Sequence, residues 1–344
     1  MRALAIAKNT LKEAVRQPVI ILIIALLSGA VFLSQFVTFF SLGEEARMLR
    51  DTCLASITVG GLLVAVFASA SVISDEIEKK TAMTVLCKPV SRAEFIFGKY
   101  LGILLTLAVA YAVFFVVFCF TIWCNESPVV QGLFGLWWRN APITQGRLAA
   151  WLGEEASGAN EVAGGWAVVG ALAANAVLFV EKMLPDLVKA LVLSFAEVSV
   201  LAAAAVAAST RLPTAVNAAL CGSFFVLGHI QSYLVRAFYP VDDLGRKLVE
   251  KVDALSLPGV LWHYPAVGIA KVLHAILPDL ESFNYSAQIA FDLPKFEDVT
   301  QAGVRVFGSA IPTDLMLQTV LYGVLYAAAL VLLAILSFRT RELT

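Results

Sequence analysis

Ser74–Gly102 reads SDEIEKKTAMTVLCKPVSRAEFIFGKYLG, a charged, capped, helix-forming segment between two apolar runs that are each long enough to cross a bilayer. A short turn would suffice to join two such helices. A structured basic segment in that place points to a docking surface for something in the cytosol. Ser74 to Lys80 is expected to carry the preceding helix past the membrane, where Asp75, Glu76, Glu78, Lys79 and Lys80 are solvated. Thr81 to Leu86 is expected to form a short helix with Met83, Val85 and Leu86 as its apolar face. Pro89 biases Lys88 away from helical backbone and breaks the chain there. Ser91-Arg92-Ala93-Glu94 is then a capping box, with Val90 and Phe95 placed as a hydrophobic staple, so the next helix starts stiffly at Ser91. A capped loop that merely spaces two helices is the plainer reading, but a spacer needs no apolar turn between two breaks.

The flanking runs belong to a set of six, approximately Pro18–Phe40, Thr52–Ser74, Gly98–Ile122, Leu187–Ser209, Thr214–Val235 and Thr313–Ser337. Of 344 residues, 60% are hydrophobic and 15% charged, against about a quarter charged in a soluble domain. Backbone groups in hydrocarbon must be paired within their own segment, and none of these runs alternates as a barrel strand does. The expected fold class is therefore all-α: one polytopic membrane domain over residues 1–344, with six transmembrane helices. The short segments 1–17, 75–97, 210–213 and 338–344 hold most of the basic residues of the short connections, whereas the loop Ser41–Asp51 has Arg47 and Arg50. Positive charge is retained on the cytosolic side, so both termini are expected there.

Residues 2–17 plot as an amphipathic helix. Lys8, Lys12 and Arg16 fall within an arc of about 80°, and Leu4, Ala7, Leu11, Ala14 and Val15 fill another of about 100°. Such a helix is expected to lie in the headgroup plane in contact with lipid, with Pro18 bending the chain into the first span. An ordinary positively charged flank is the alternative.

Three patches resemble the membrane subunits of ABC type-2 transporters and, within them, the permeases linked to multicopper-enzyme maturation. IAKNTLKEAVRQPV resembles the family's N-terminal elbow helix. SLGEEARMLRD and then ISDEIEKKTAMTVLCKPVSRAEFIFGKYLG resemble the second span and its coupling segment. STRLPTAVN resembles the cytosolic turn between spans four and five, and FNYS with FRTREL the approach to and exit from the last span. The similarity covers residues 1–122 well and 187–344 more loosely; Lys80-Thr81 stands where many members have Gly-Thr.

The resemblance implies a permease paired with a second copy or a relative, in a bacterial inner membrane, above two separate ATP-binding subunits. Those subunits would bind the ATP and magnesium, and this chain would need no cofactor of its own. It implies ATPase-coupling residues Glu76, Glu78, Thr81, Met83 and Leu86, with Arg211 in a secondary contact at Ser209–Pro213. The chain itself carries no phosphate-cradling motif: Gly98-Lys99 is followed by Tyr100 and lacks the upstream glycine. It also has no zinc-protease His-Glu spacing and no Gly-x-Ser-x-Gly elbow. An enzyme is not expected, and the net charge of −1 gives no indication of a nucleic-acid partner.

Glu197 stands near the middle of the fourth span, where an acid costs about 2.5–3.5 kcal/mol unless it faces the bundle. A hydrogen bond to a neighbouring helix or subunit is the plain reading, and a substrate or proton-relay site the sharper one. Asn217 is a weaker signal of the same kind. His229, His263 and His274 are expected on the outer side, with spacing that matches no metal motif. Cys119 and Cys124 leave a disulfide open without marking one. The Ala-rich stretch 201–208 and Gly60-Gly61 suit close helix packing. The outer segments 123–186 and 236–312 are expected to hold short interfacial helices, as a lid over the path or a platform for an extracytoplasmic partner. A subunit that transmits ATPase motion outward without moving a solute is thus the rival to an exporter. A secondary transporter would show internal repeats and interrupted helices, which the sequence lacks.

Overall fold

The computed structural model describes residues 2–37, 45–74, 91–126, 173, 176–177, 184–238, 277–284, 297–300, 303–306 and 313–339. Its helices are α1 (Arg2–Val15), α2 (Pro18–Val37), α3 (Glu45–Ser69), α4 (Arg92–Glu126), α5 (Leu184–Ser209), α6 (Thr214–Phe238) and α7 (Thr313–Arg339). A π-helical turn, Ala70–Ser74, continues α3, and a 3₁₀ turn, Leu280–Phe283, precedes α7.

Helices α2 to α7 overlap the six expected spans. Four segments, Met48–Val72, Ala93–Asn125, Leu184–Ser209 and Thr313–Phe338, are each long and apolar enough to cross a membrane. Helices α1 and α2 meet that test as a pair bent by 67°, and the apolar part of α6 is the shorter Thr214–Ile230. The chain is a multi-pass helical membrane protein.

Two boundaries differ from expectation. Helix α3 starts at Glu45, inside the expected loop Ser41–Asp51, because Glu45–Asp51 is built largely of good helix formers and Leu49 is buried. Helix α4 runs 35 residues from Arg92, about 52 Å, and so overreaches a hydrocarbon core about 30 Å thick. A two-stranded antiparallel hairpin, β1 (Glu297–Thr300) with β2 (Gly303–Val306), lies in the outer segment where only short helices were expected. It pairs Glu297 with Val306 and Thr300 with Gly303.

Helix α5 is the hub, packing on α3, α4, α6, α7 and the 3₁₀ turn. Its most apolar window is 72% buried, against 22% for α7, so α7 lies at the edge of the bundle. Residues Leu201–Val206 of α5 are all buried. Their small side chains let neighbouring backbones come close, the principle by which membrane helices associate without a hydrophobic driving force. Gly61 of α3 serves the same end, since a Cβ there would stand 2.7 Å from the Tyr111 ring and hydroxyl of α4.

Polar groups tie the same helices together. Thr58 Oγ1 and Ser194 Oγ are 2.8 Å apart across α3 and α5, and Tyr111 lies 3.0 Å from Ser194 Oγ. Tyr100 donates to the Ser199 carbonyl, and Asn217 of α6 to Ser69 of α3. The sequence singled out Asn217 but not these tyrosines, whose rings count as apolar while their hydroxyls need partners. Cys53, Cys119, Cys124 and Cys221 are free thiols.

Candidate functional site

The expected coupling residues Glu76, Glu78, Thr81, Met83 and Leu86 lie outside the described residues, as do Val90, His263 and His274. What flanks the coupling segment is described. The capping box forms as its sequence predicts. Ser91 N donates to Glu94 Oε2 at 3.0 Å, and Glu94 N donates to Ser91 Oγ at 3.1 Å, so two backbone donors at the helix start are satisfied reciprocally. Ser91 Oγ also donates to Glu94 Oε2.

One turn later the capped helix is fastened on two sides. Phe95 is buried and stacks on Phe338 at the end of α7, ring centroids 5.9 Å apart. On the other side, α1 lies against Gly98 and Gly102. A Cβ on Gly98 would meet the Ala3 carbonyl oxygen at 3.0 Å, and one on Gly102 would meet Thr10 Cβ at 2.5 Å and the Ala7 oxygen at 3.0 Å. Lys99, itself buried, reaches within 3.9 Å of Glu13 of α1.

This contact revises the placement of the elbow helix. Its apolar arc does not all face lipid: Ala7 and Ala14 are buried in protein together with Thr10, while Leu4 and Val15 stay exposed beside exposed Lys8, Lys12 and Arg16. The glycines of α4 cause the difference, because without side chains they let α1 dock on protein. The periodicity of α1 alone contained no sign of that second surface.

Arg211 sits on the tight turn between α5 and α6, at the same end of the bundle. Its Nε donates to Ser337 Oγ at 2.7 Å, and Nη2 donates to the Ser337 carbonyl at 3.2 Å. A cation on the last carbonyls of α7 also complements that helix's dipole. Arg211 is exposed, yet its guanidinium already anchors the turn to α7. Ser91–Gly102, α1, the α5–α6 turn and the end of α7 thus form one cross-linked end of the bundle.

The second candidate is intramembrane. Glu197 is 3% exposed, twelve residues before the end of α5, or about 18 Å along its axis. His229 Nε2 of α6 lies 3.4 Å from Glu197 Oε1, within ion-pair reach, and Oε1 makes no hydrogen bond among the described residues. His229 was expected on the outer side; it instead faces the middle of the bundle. A signal for this was present, because in an antiparallel helix pair joined by a tight turn, residues at similar distances from the turn face each other. Among the described residues no group of three His, Cys, Asp or Glu side chains could hold a metal ion.

Compared with known families, residues 4–343 match the model of the ABC-2 family transporter proteins. No curated relative matches the chain. The family match spans nearly the whole chain, including residues 123–186, for which no motif had been recognised.

Proposed function

Since the chain belongs to the ABC-2 family of transporter proteins, we propose that it is the membrane subunit of an ATP-binding cassette exporter, driven by ATP hydrolysed in a separate subunit. The observation that carries this reading is the fastened end of the bundle. The capping box, the Gly98–Gly102 seat for α1 and the Arg211–Ser337 hydrogen bonds make stiff the part of the chain from which residues 75–90 depart. A segment moved by a partner transmits force only if its root does not yield. Closure of the ATPases then shifts the population of inward- and outward-facing states through this root.

In this reading Glu76, Glu78, Thr81, Met83 and Leu86 contact the ATP-binding subunit, which holds the ATP and magnesium. A second permease copy or a relative completes the assembly. The protein resides in a bacterial inner membrane with both termini cytosolic, α1 resting at the lipid headgroups. A second reading is favoured by the long outer segments and by a bundle whose described buried hydroxyls largely bond carbonyls of their own helices and line no path: the subunit passes ATPase motion to an extracytoplasmic partner and carries no solute.

Replacing Met83 and Leu86 together by Asp is expected to abolish co-purification of the ATP-binding subunit while membrane insertion is unchanged. Co-purification at wild-type yield removes the coupling assignment. Transport in vesicles, set against capture of outer proteins in detergent, separates the exporter from the force-transmitting subunit.

A further inference from the structure

The chain that leads into α7 does not stay at the ends of the helices. Leu277–Asn284 folds back among them, and Leu280 and Phe283 share one apolar cluster with Ala196 and Leu201 of α5 and with Leu62 and Val66 of α3. Two glycines make the room. A Cβ on Gly228 of α6 would come within 2.6 Å of the Leu280 side chain, and one on Gly323 of α7 within 3.0 Å of the Phe283 ring. The Asp279 amide donates to the Tyr322 hydroxyl of α7 at 3.1 Å, and Ser282 Oγ donates to the Asp279 carbonyl.

These seats fix the depth of the turn. Helix α7 has no charged residue between Asp314 and Arg339, and Gly323 stands nine residues inside that stretch, about 13 Å along the axis. Gly228 stands ten residues before α6 ends at Phe238, about 15 Å. The uncharged stretch of α7 outruns a hydrocarbon core of about 30 Å by only a few ångströms at either end. The turn therefore lies within the hydrocarbon layer.

At that depth it shows two faces. Leu277, Pro278, Leu280 and Phe283 are buried, whereas Asp279, Glu281, Ser282 and Asn284 stay partly exposed. Lipid is no cover for the second face. Backbone outside helices and carboxylate side chains are tolerated at membrane depth only where protein buries them or water reaches them. Protein leaves these four side chains partly open, so water reaches them. The sequence of α6 agrees, since Gln231, Ser232 and Arg236 follow soon after the Leu280 seat.

We infer that Leu277–Asn284 is the floor of a water-filled vestibule, open on the side of the membrane away from the Arg211 turn. Its apolar residues seal the bundle beneath, and Asp279, Glu281, Ser282 and Asn284 line the water. The barrier that a solute would cross then ends at Leu280 and Phe283, about 15 Å short of the end of α6. The inference is the same for an exporter and for a force-transmitting subunit.

Thiol labelling with an impermeant maleimide tests this on the full chain, in intact cells and in inside-out vesicles, with the unsubstituted chain as background. Maleimides attack the thiolate, which apolar surroundings suppress, so Ser282→Cys is expected to label about tenfold faster than Val324→Cys. Val324 adjoins Gly323 at the same depth and is 57% exposed on the outside of the bundle. Thr344→Cys reports the side on which the Arg211 end lies, and Ser282→Cys is expected to label from the opposite side. Asn284→Cys carries the same expectations if Ser282→Cys does not fold. A folded variant that labels no faster than Val324→Cys, or that labels from the same side as Thr344→Cys, overturns the inference.

Discussion

The cross-linked end of the bundle and its buried middle are held by different physics. At the end, α1 rests on Gly98 and Gly102 at backbone contact, a capping box closes α4, and Arg211 ties the α5–α6 turn to α7. These contacts are redundant, so that no single proton or side chain decides whether they persist. In the middle, Glu197 has one facing histidine and a short turn packed beside it, and its Oε1 lacks a hydrogen bond. The first region rests on several separate contacts; the second rests on one facing pair and a short turn, and the two are separated along the same helices, α5 and α6.

The largest expected effect comes from breaking the rigid region. Gly102→Leu drives a side chain into Thr10 and the Ala7 carbonyl, and because part of that obstacle is backbone, α1 must move. Overpacking of this kind costs about 1–3 kcal/mol, read as a lowered melting temperature in detergent. If the 277–284 amides keep their exchange rates in this variant, the two regions are independent; if they speed up, the end also braces the middle. Ser91→Ala removes the N-cap oxygen that Glu94 N uses, at a cost of about 1 kcal/mol, and is expected to fray the start of α4 under limited proteolysis. Tyr111→Phe takes one donor from Ser194 but leaves Thr58 in place, and interhelical hydrogen bonds in membranes average about 0.6 kcal/mol. Arg211→Ala is expected to cost less than about 1 kcal/mol in thermal stability, since its hydrogen bonds face solvent. A loss of ATPase co-purification in Arg211→Ala at unchanged stability would mark a direct contact beyond the anchoring of Ser337.

Local features were readable and distant ones were not. The capping box needs four consecutive residues, so Ser91 and Glu94 gave it away, and the Arg211 turn was equally plain from Ser209 to Pro213. Helix positions followed from apolar runs, because unpaired backbone is not tolerated in lipid. Glu197 stood out as an acid within such a run, but its partner lies 32 residues away and became visible only when α5 and α6 were laid antiparallel. The seat of α1 was hidden for a related reason. Gly98 and Gly102 look like ordinary small residues until the helix that fills the space above them is in view. Met83 and its neighbours remain a reading of the sequence, for they lie outside the described residues.

The π turn at Ala70–Ser74 holds one residue more than an α-helical ladder would. Its wider coil takes that residue up locally, so α3 keeps its packing face on α5. Deleting one residue there would restore the regular ladder and draw the chain beyond Ser74 back by about 1.5 Å, a lever shortened at its fulcrum rather than bent.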